Sequence, residues 1–410
     1  MTTSAVTRPP KRVSPRLRSG RSSSACATSS NRQVVHEVIG RAALGPPFFF
    51  ARAPRLFCRS PSPWLHDRCA AMTKELPHET ARQSRLFTCW PSDADLWEDN
   101  LQPAQAEFAA FLTAVTEPSA TGGTVALTVL AATDQAEASA RQALGERATI
   151  VRAAFGDVWA RDTGPVFLRD RGEAVAVRFR FNGWGGKYEL PGDDTVGGVI
   201  ARLAGATERR VDLVAEGGAL EFDGEGTLLT TRQCLLNENR NPGRSEAEVE
   251  AVLKQALGVE TVLWIDEGLL ADHTDGHVDN IARFAAPGVV VCQSPWGDDD
   301  PQAEALEAIA AQLAEMTDAR GRRLDVRRIP SPGRIDLGDG DIVPASHMNW
   351  VIGPRHVVVP VYDQTAGDAA VAALRDIFPH HEVVGSPSRA ILTGGGAFHC
   401  VTCHQAGELD

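Results

Sequence analysis

A cysteine near the C-terminus follows a glycine-rich turn and could act as a nucleophile. Residues 393–405 contain three consecutive glycines before Cys400, and these leave backbone room for a substrate and N–H groups that favour a thiolate. Cys400, Cys403 and His404 also form a Cys-x-x-Cys-His pattern, which is typical of c-type haem attachment or a redox pair. We find no export signal that haem attachment would need, and a structural zinc would need two more closely spaced ligands. A thiol nucleophile is therefore the favoured interpretation.

Three further clusters of polar and glycine residues interrupt the aliphatic background. Asp162 precedes Thr-Gly-Pro and is followed by Trp184 in an Asn-Gly-Trp-Gly-Gly segment, while Glu216 precedes Gly-Gly. Taken alone, these segments are typical of turns. The third cluster contains His277 and Asp279 and favours a metal hypothesis, because imidazole and carboxylate groups are concentrated in it. However, no second histidine-rich cluster completes a coordination sphere.

The four residues Cys400, His277, Asp162 and Asp279 would form a specific kind of active site if the fold brought them together. A thiolate beside a histidine is a nucleophile with a general acid/base. Two additional carboxylates would repel a developing oxyanion, so we expect a cationic substrate. A planar guanidinium, with five N–H donors, is the cation that two carboxylates grip in a forked geometry.

Six segments in one order resemble the agmatine deiminase family, which also includes bacterial peptidylarginine deiminases. Together they span about residues 76–405, and six collinear motifs are far more specific than any one of them. The segments are WARDTGP from Trp159, FNGWGG from Phe181, EGGAL from Glu216, CLLNENRNP from Cys234, TDGHVDN from Thr274 and GGGAFHC from Gly394.

The resemblance implies a fold and a set of residue roles. The implied fold is the α/β propeller of the pentein type, in which five ββαβ units surround a pseudo-fivefold axis and the site lies in the central channel. It also implies a reaction without a metal or other cofactor. By this resemblance Cys400 matches the family's nucleophile and His277 its general acid/base. Asp162 and Asp279 match the two guanidinium-binding acids. The further substrate-binding residues are Trp159, Trp184 and Glu216.

The reaction that the resemblance implies is hydrolysis of agmatine to N-carbamoylputrescine and ammonia through a covalent thiouronium on Cys400. The alternative is a peptidylarginine or arginine deiminase, which would produce citrulline. An arginine substrate carries a carboxylate that calls for an Arg clamp, whereas the second cation of agmatine suits the faces of Trp159 and Trp184. Arg161 belongs to the family motif in general and does not select arginine. Agmatine is therefore the favoured substrate.

Two other classes of function remain open at this stage. A metallohydrolase could use His273, Asp275, His277 and Asp279 as ligands, and its activity would be lost with a chelator rather than by thiol alkylation. A non-catalytic polyamine-binding protein would bind agmatine without turnover. The second alternative is disfavoured because every residue that the chemistry needs is present.

The elements that must position these residues alternate along the chain. Short β-branched runs predict strands at residues 174–181, 226–231, 261–265, 289–292 and 356–361. A capping box of Ser245 and Glu248 predicts a helix that ends near Leu257, and apolar spacing predicts helices at 301–316 and 365–378. This alternation indicates an α/β protein, with the site at glycine-rich junctions between elements.

Composition and charge limit the classes of partner. Of the 410 residues 43% are hydrophobic, and 37 more are glycine, which is ample material for a large core. No run approaches the ~20 apolar residues that span a bilayer, so we predict no membrane partner. The net charge is −12, and residues 72–410 contain 29 basic and 51 acidic side chains. Such an acidic body disfavours nucleic acid and suits a small cationic molecule.

The first 71 residues differ from the rest of the chain. They contain 12 basic and 2 acidic side chains and are rich in serine and proline. We interpret residues 1–71 as a disordered leader or a misassigned N-terminal extension, and residues 72–410 as the deiminase catalytic domain. The dependence on a reduced thiol predicts a cytoplasmic protein, and the family resemblance suggests a homo-oligomer.

Overall fold

The computed structural model describes residues 74–338 and 340–406. The segment 1–71, interpreted above as a leader or misassigned extension, lies outside these residues. The described residues cover nearly all of the predicted catalytic domain, 72–410. Within them, the helices are too short or too polar to cross a membrane.

The strands of the described residues form five separate mixed sheets. In spatial order their strands are β1 (Lys74–Glu75), β5 (Val166–Asp170), β6 (Glu173–Arg180) and β7 (Thr207–Val214); β8 (Glu221–Phe222), β9 (Thr227–Thr231) and β10 (Thr261–Ile265); β11 (Ala282–Ala286), β12 (Val289–Ser294) and β13 (Asp325–Pro330); β14 (Val351–Ile352), β15 (His356–Val361) and β16 (Glu382–Pro387); and β17 (Thr402–Ala406), β2 (Gln83–Cys89), β3 (Ala126–Ala131) and β4 (Ala148–Arg152).

The same unit recurs in all five sheets. An antiparallel pair, such as β8 with β9, is followed by a strand that runs parallel to the second member, such as β10 with β9. A parallel neighbour needs a crossover connection, which is usually a helix. In the last unit the antiparallel partner of β2 is β17, so the C-terminal strand completes a sheet that begins near the start of the described chain.

Helices supply the crossovers between the parallel strands. The helices of the described residues are α1 (Ala94–Trp97), α2 (Leu101–Val115), α3 (Asp134–Leu144), α4 (Ala160–Thr163), α5 (Gly183–Gly186), α6 (Asp193–Leu203), α7 (Arg232–Leu235), α8 (Glu246–Leu257), α9 (Ala303–Glu315), α10 (Gln364–Ile377) and α11 (Arg389–Leu392). Short 3-10 turns are found at Glu98–Asn100, Gly145–Arg147, Gly217–Ala219 and Val278–Asn280. Helices α2, α6, α8, α9 and α10 each connect two parallel strands of one unit, as the ββαβ pattern requires.

The predicted elements agree with the structure to within about two residues at their ends. The predicted strand 174–181 is β6, and the strand predicted at 261–265 has those bounds in β10. Helix α8 begins with the predicted capping box, in which Ser245 Oγ accepts from the Glu248 N–H and the Glu248 carboxylate accepts from the Ser245 N–H. The prediction of an α/β protein is therefore confirmed.

Apolar faces of these helices form cores with the sheets of neighbouring units as well as with their own. In α10 the buried residues Ala366, Ala370 and Leu374 recur at intervals of four, which places them on one helix face. Leu374 packs with Val357 and Val359 of β15, and its burial contributes about 2 kcal/mol. Helix α10 thus packs between its own sheet and the sheet of the preceding unit, which contributes Val291 and Ile329 to the same core.

Candidate active site

Five short segments, one before the first strand of each unit, supply the side chains and backbone groups of the candidate site. Because the units are alike, these segments occupy equivalent positions along the chain. They contribute Asp162 from α4 before β5, Glu216 and Gly217–Ala219 before β8, His277 and Asp279 before β11, Asn349 before β14, and Cys400 before β17.

The first three segments contact one another through the predicted charged residues. The Gly218 N–H donates to Asp162 Oδ1 over 3.1 Å. His277 lies between the other segments, with Nδ1 3.7 Å from Asp162 Oδ1 and Nε2 3.5 Å from Glu216 Oε2. The fold therefore brings a histidine and two carboxylates from three units to one place.

The remaining contacts lead through Cys400 back to the first segment. Asn349 Nδ2 donates to Asn280 Oδ1 over 2.7 Å, and Asn349 Oδ1 accepts from the Cys400 N–H over 3.0 Å. The Cys400 carbonyl in turn accepts from the Arg161 N–H over 3.1 Å. One asparagine thus positions the turn that carries Cys400, and the five segments form a closed series of contacts.

Gly218 marks the point at which three of the functional side chains meet. A Cβ atom at this position would lie 2.6 Å from His277 Nδ1, 2.8 Å from Asp162 Oδ1 and 3.0 Å from Asp279 Oδ2. Contacts this short are not tolerated by a real methyl group, so only glycine allows the three side chains to approach. The Glu216-Gly-Gly motif of the sequence therefore has a steric purpose.

Cys400 adjoins the same group of carboxylates. Its side chain is buried, and Sγ lies 3.7 Å from Asp279 Oδ2. Burial, followed by the charges of Asp279 and Asp162, raises the pKa of this thiol well above its usual range. A Cβ at Gly396 would lie 2.7 Å from the Trp159 ring and 3.1 Å from Cys400 Sγ, so this glycine lets the indole pack beside the thiol.

His277 is completely buried and is held among acids. Burial by itself would lower its pKa, but Asp162, Cys234 and Glu216 raise the pKa well above its usual range. Among the described residues, neither ring nitrogen has a hydrogen-bond partner. A buried imidazolium with unpartnered N–H groups is suited to donate a proton to an incoming ligand.

The pKa of Asp162 lies close to the physiological pH range. Burial raises its pKa to about 6, while His277 and a hydrogen bond from Trp184 act in the opposite direction. The Trp184 Nε1–H donates to Asp162 Oδ2 over 2.9 Å. Trp184 adopts a left-handed backbone conformation, with φ of 53° and ψ of 49°, which is uncommon for a bulky residue. The strained backbone turns the indole toward the carboxylate.

Asp279, the second carboxylate beside Cys400, has a lower pKa than Asp162. Burial would raise its pKa, but His399 and the positive charges of His277 and Arg283 lower it below its usual value. His399 Nδ1 lies 2.8 Å from Asp279 Oδ2, whereas Asp279 Oδ1 has no hydrogen-bond partner among the described residues. One oxygen is therefore held in place and the other is left for a ligand.

A buried network of charged side chains holds His399, which in turn contacts Asp279. His399 Nε2 lies 2.9 Å from Glu79 Oε1, and Glu79 also pairs with Arg161 over 2.9 Å and with Arg283. Although burial opposes ionisation, these positive neighbours lower the pKa of Glu79 well below its usual range. The network connects Glu79, near the start of the described chain, to His399, the residue just before Cys400.

Comparison with known proteins agrees with this geometry. The family model of the Porphyromonas-type peptidyl-arginine deiminases matches residues 75–406. The chain belongs to this family. An agmatine deiminase of Stutzerimonas stutzeri is 38% identical over 359 residues, which cover 80% of this chain and 95% of that protein.

Solved structures of the peptidyl-arginine deiminase family have the same fold. The agmatine deiminase of Enterococcus faecalis superposes with a TM-score of 0.76 at 32% identity, covering 82% of this chain and 98% of that chain. A structure from Porphyromonas gingivalis, named as a proposed arginine deiminase, gives a TM-score of 0.73 at 31% identity over 81% of this chain and 98% of that chain. Both agmatine-named and arginine-named proteins are thus similar to it.

The four residues of the metallohydrolase alternative do not form a cluster in this family member. His273 Nδ1 lies 2.7 Å from the Tyr188 hydroxyl, and Asp275 pairs with Lys187 and Arg240. His277 and Asp279 have the separate partners described above. The concentration of these residue types in the sequence comes from a loop whose side chains point in different directions, so the predicted ligand set is wrong.

The Cys-x-x-Cys-His run of this deiminase contains two free thiols. Cys403 lies in β17, where its Sγ donates to the Pro165 carbonyl over 3.3 Å. Burial raises its pKa to about 12, which disfavours the reactive thiolate. His404 Nδ1 lies 2.6 Å from the Arg161 guanidinium. These contacts give Cys403 and His404 structural partners that are separate from the candidate nucleophile.

Sequence reasoning missed several residues that hold the site together. They are Glu79, Gly218, His399 and Asn349. His399 and Gly218 lie inside motifs that the sequence analysis used, so their position next to Cys400 and Glu216 was an available signal. Glu79 and Asn349 lie in segments without a chemical pattern, and only the fold shows their contacts.

Proposed function

We propose that this chain is an agmatine deiminase, a hydrolase that converts the guanidinium of agmatine into a ureido group and ammonia. The observation that carries the proposal is the convergence of two buried carboxylates on one point beside a thiol. Asp162 Oδ1 and Asp279 Oδ2 lie within 3.0 Å of the position that a Gly218 Cβ would occupy, and Cys400 Sγ is 3.7 Å from Asp279. Such a site attracts a cation and presents a nucleophile to it.

In this proposal Asp162 and Asp279 hold the guanidinium by its N–H groups. At neutral pH both are largely ionised, because the pKa of Asp162 is about 6 and that of Asp279 is below its usual value. Their charges keep the guanidinium protonated and its carbon electrophilic, and they fix the direction of attack. The bound cation also offsets the two charges that hold the pKa of Cys400 high, so substrate binding favours release of the thiol proton to solvent while His277 stays protonated.

The first chemical step forms a bond between Cys400 Sγ and the guanidinium carbon. The carbon becomes tetrahedral, and protonated His277 gives its proton to one terminal nitrogen. The carbon–nitrogen bond then breaks, ammonia leaves with the electron pair of that bond, and a thiouronium remains on Cys400. The raised pKa of His277 suits this acid role.

The second step releases the product. Neutral His277 takes a proton from water while the water oxygen attacks the thiouronium carbon. The carbon–sulfur bond breaks and Cys400 recovers the electron pair as a thiolate. The remaining proton of the attacking oxygen passes to solvent, where the released ammonia takes it up as ammonium, and the neutral ureido product leaves. Water supplies the product oxygen, and no oxidant or reductant is needed.

The surroundings of the site support agmatine rather than arginine. The arginines closest to the described contacts are already paired: Arg161 with Glu79, Arg240 with Glu216 and Asp275, and Arg283 with Glu79. A substrate carboxylate would have to break one of these buried pairs, which typically costs about 3–5 kcal/mol. A substrate without a carboxylate avoids that cost.

The remaining predicted substrate-binding residues have different surroundings. Trp159 packs beside Cys400, and Trp184 donates to Asp162, so both indoles adjoin the proposed guanidinium position. Glu216 accepts from Arg240 Nε over 2.7 Å and lies 3.5 Å from His277 Nε2. We therefore infer that Glu216 acts on the substrate through the orientation and charge of His277.

Turnover of three guanidines tests the proposed function directly. Ammonia and ureido product are measured for the full chain on agmatine, free arginine and a peptide that ends in arginine. We expect agmatine to have the highest kcat/KM, by about 100-fold or more, because Arg161, Arg240 and Arg283 already pair with buried acids and a substrate carboxylate would have to compete with those acids. Higher kcat/KM for either arginyl substrate would instead identify an arginine deiminase, and binding of agmatine without turnover would indicate a binding protein.

The pH dependence of kcat/KM provides a second test, since it reports groups of the free enzyme. We expect kcat/KM to fall as the pH drops below about 6, because Asp162 has its pKa at about 6 and loses its charge there. The pKa of His277 lies above this limb and that of Asp279 lies below it. Trp184→Phe removes a hydrogen bond that favours the carboxylate, so the limb should move up by about one pH unit.

A matched substitution controls for the loss of an indole. Trp90 is fully buried and its Nε1–H donates to Ser139 over 2.8 Å. Trp90→Phe should therefore leave the acid limb where it is in the wild type. A limb that does not move in Trp184→Phe, or that moves equally in both variants, would assign this titration to another group.

We further propose that the five units surround a pseudo-fivefold axis as the predicted five-bladed α/β propeller. Two observations support this arrangement. Each sheet has the same antiparallel and parallel strand order, and the five segments before the first strands contact one another in a closed series. The channel around the axis would then contain the site.

Location and assembly remain predictions of this proposal. Cytoplasmic location is supported by the five cysteines among the described residues, all of which are free thiols. Homo-oligomerisation and the lack of nucleic-acid partners rest on the family resemblance and on the acidic composition. Breakdown of agmatine toward putrescine is the pathway that the proposed substrate implies.

A further inference from the structure

A second buried thiol lies beside the general acid/base. Glu216, Cys234 and His277 each offer one ligand atom, and these atoms all lie within 4.8 Å of one another. Cys234 Sγ is 3.8 Å from Glu216 Oε2, and His277 Nε2 is 3.5 Å from the same oxygen. All three side chains are completely buried. In the reaction proposed above Cys234 helps to raise the pKa of His277, but its sulfur forms no bond to the substrate.

The three atoms match the ligand preferences of zinc. Thiolate, imidazole and carboxylate are the groups that bind Zn²⁺ in proteins, and a site with three protein ligands keeps an open fourth position. Usual zinc–ligand lengths in a tetrahedral site place neighbouring ligand atoms about 3.4–3.6 Å apart. The two measured separations at Glu216 Oε2, 3.5 and 3.8 Å, are close to this spacing.

His277 supplies an independent indication of a ligand. It is buried, and both of its ring nitrogens lack a hydrogen-bond partner among the described residues. Nδ1 is nearest to Asp162, on the side of the proposed substrate, whereas Nε2 is nearest to Glu216. Buried polar atoms normally have a partner. A metal at Nε2 would satisfy the atom that faces Glu216 and Cys234.

The neighbouring side chains hold the carboxylate in a suitable orientation. Arg240 Nε donates to Glu216 Oε1 over 2.7 Å, so Oε1 is occupied and Oε2 is directed toward the other two ligands. This is a supporting interaction of the kind that orients metal ligands. Cys234 lies in the short helix α7, where its N–H donates to Oγ1 of the N-cap residue Thr231.

We propose that Glu216, Cys234 and His277 form a zinc-binding site whose occupation reversibly inhibits the enzyme. Zn²⁺ bonds to Cys234 Sγ, Glu216 Oε2 and His277 Nε2, and the thiol proton is released to solvent. Any proton on Nε2 is released as well. With zinc bound at Nε2 the ring is neutral and its one proton is on Nδ1, so His277 no longer cycles between imidazolium and imidazole to exchange protons with substrate and water. The inhibitory part of this inference rests on the proposed function, but the site itself does not.

Metal binding is measured without reference to activity. The full chain with Cys400→Ala, which removes the thiol nucleophile, is titrated with Zn²⁺ and bound metal is quantified after gel filtration. Co²⁺ is then used as a probe, because a thiolate ligand produces a charge-transfer band in the near ultraviolet. We expect one equivalent of zinc and a Co²⁺–thiolate band.

A second cysteine substitution identifies the ligand. Adding Cys234→Ser to Cys400→Ala should abolish the band and weaken zinc binding by about 100-fold. Adding Cys292→Ser instead, which alters a buried free thiol of β12, should change neither. Both variants are compared in the Cys400→Ala background. Unaltered zinc binding after Cys234→Ser would overturn the proposal, and so would loss of zinc binding after Cys292→Ser but not after Cys234→Ser.

Inhibition is tested with the catalytic thiol present. Zn²⁺ should inhibit the wild type, and a chelator should reverse the inhibition. Cys234→Ser should need about 100-fold more zinc than the wild type for the same fractional loss of its own turnover. Equal inhibition of both proteins would place the metal on Cys400 and contradict the proposal. If agmatine is not a substrate, the binding measurements with Zn²⁺ and Co²⁺ still decide whether the site exists.

Discussion

Cys400→Ser should lower kcat on agmatine by about 10⁴-fold or more, since loss of the nucleophile from a set of catalytic residues that act together has effects of this size. The hydroxyl is smaller and far less acidic than the thiol, and the site raises even the pKa of the thiol. Serine therefore cannot supply an anionic nucleophile at neutral pH. The surrounding carboxylates remain, so agmatine binding, measured by calorimetry, should persist.

Cys403→Ser is the matched control for this substitution. Cys403 is also buried, but its thiol donates to the Pro165 carbonyl, a contact that a serine hydroxyl can replace. Its turnover should stay within a few-fold of the wild type. Mass spectrometry of an acid-quenched wild-type reaction should show agmatine less ammonia attached at Cys400. Turnover that survives in Cys400→Ser, or an adduct at Cys403, would contradict the assigned nucleophile.

Asp279→Asn should lower kcat/KM on agmatine by about 10³-fold, which corresponds to the loss of about 4 kcal/mol from a buried charge interaction. Asp279 lies 3.7 Å from Cys400 Sγ and has one oxygen without a hydrogen-bond partner among the described residues. Asparagine keeps the shape of the side chain but removes its charge. The effect should appear in both KM and kcat, because the carboxylate binds the cation and directs it toward sulfur.

The charge effect is separated from any effect on folding by comparing the rates at which two alkylating reagents react with the same protein. Chloroacetamidine is cationic and chloroacetamide is neutral, and they are otherwise nearly identical. Cys400 of the wild type should react faster with the cation, and Asp279→Asn should lose most of that preference. Asp298→Asn, at an exposed aspartate, should retain it. An unchanged preference in Asp279→Asn would mean that Asp279 does not attract the guanidinium.

Elements with strong local signals were predictable from the sequence. The α8 capping box and the β-branched run of β10 depend on residues a few positions apart, so their energetics are contained within a short window. The strand predicted at 289–292 is two residues too short, since β12 continues to Ser294, which pairs with Pro330 of β13. Pairing with a distant strand extended it, and a local pattern does not contain that partner.

The chemical residues of the candidate site were predictable as types, but their support was not. Cys400, His277, Asp162 and Asp279 lie in recognisable motifs. The contact between His399 and Glu79 joins residues 320 positions apart. Nothing around Glu79 in the sequence indicates a buried acid, since its ionisation depends on arginines brought to it by folding.

The sequence by itself determined the alternation of strands and helices, the family motifs and the residue types that could attack a guanidinium. The tertiary structure alone decided which of those residues meet. It dispersed His273 and Asp275 to other partners, placed Cys234 beside His277, and left Gly218 at the meeting point of three side chains. It also set the opposite pKa shifts of Asp162 and Asp279. The physical reason is that desolvation and Coulomb interactions depend on distances in space, and those distances are fixed by contacts between units far apart in the chain.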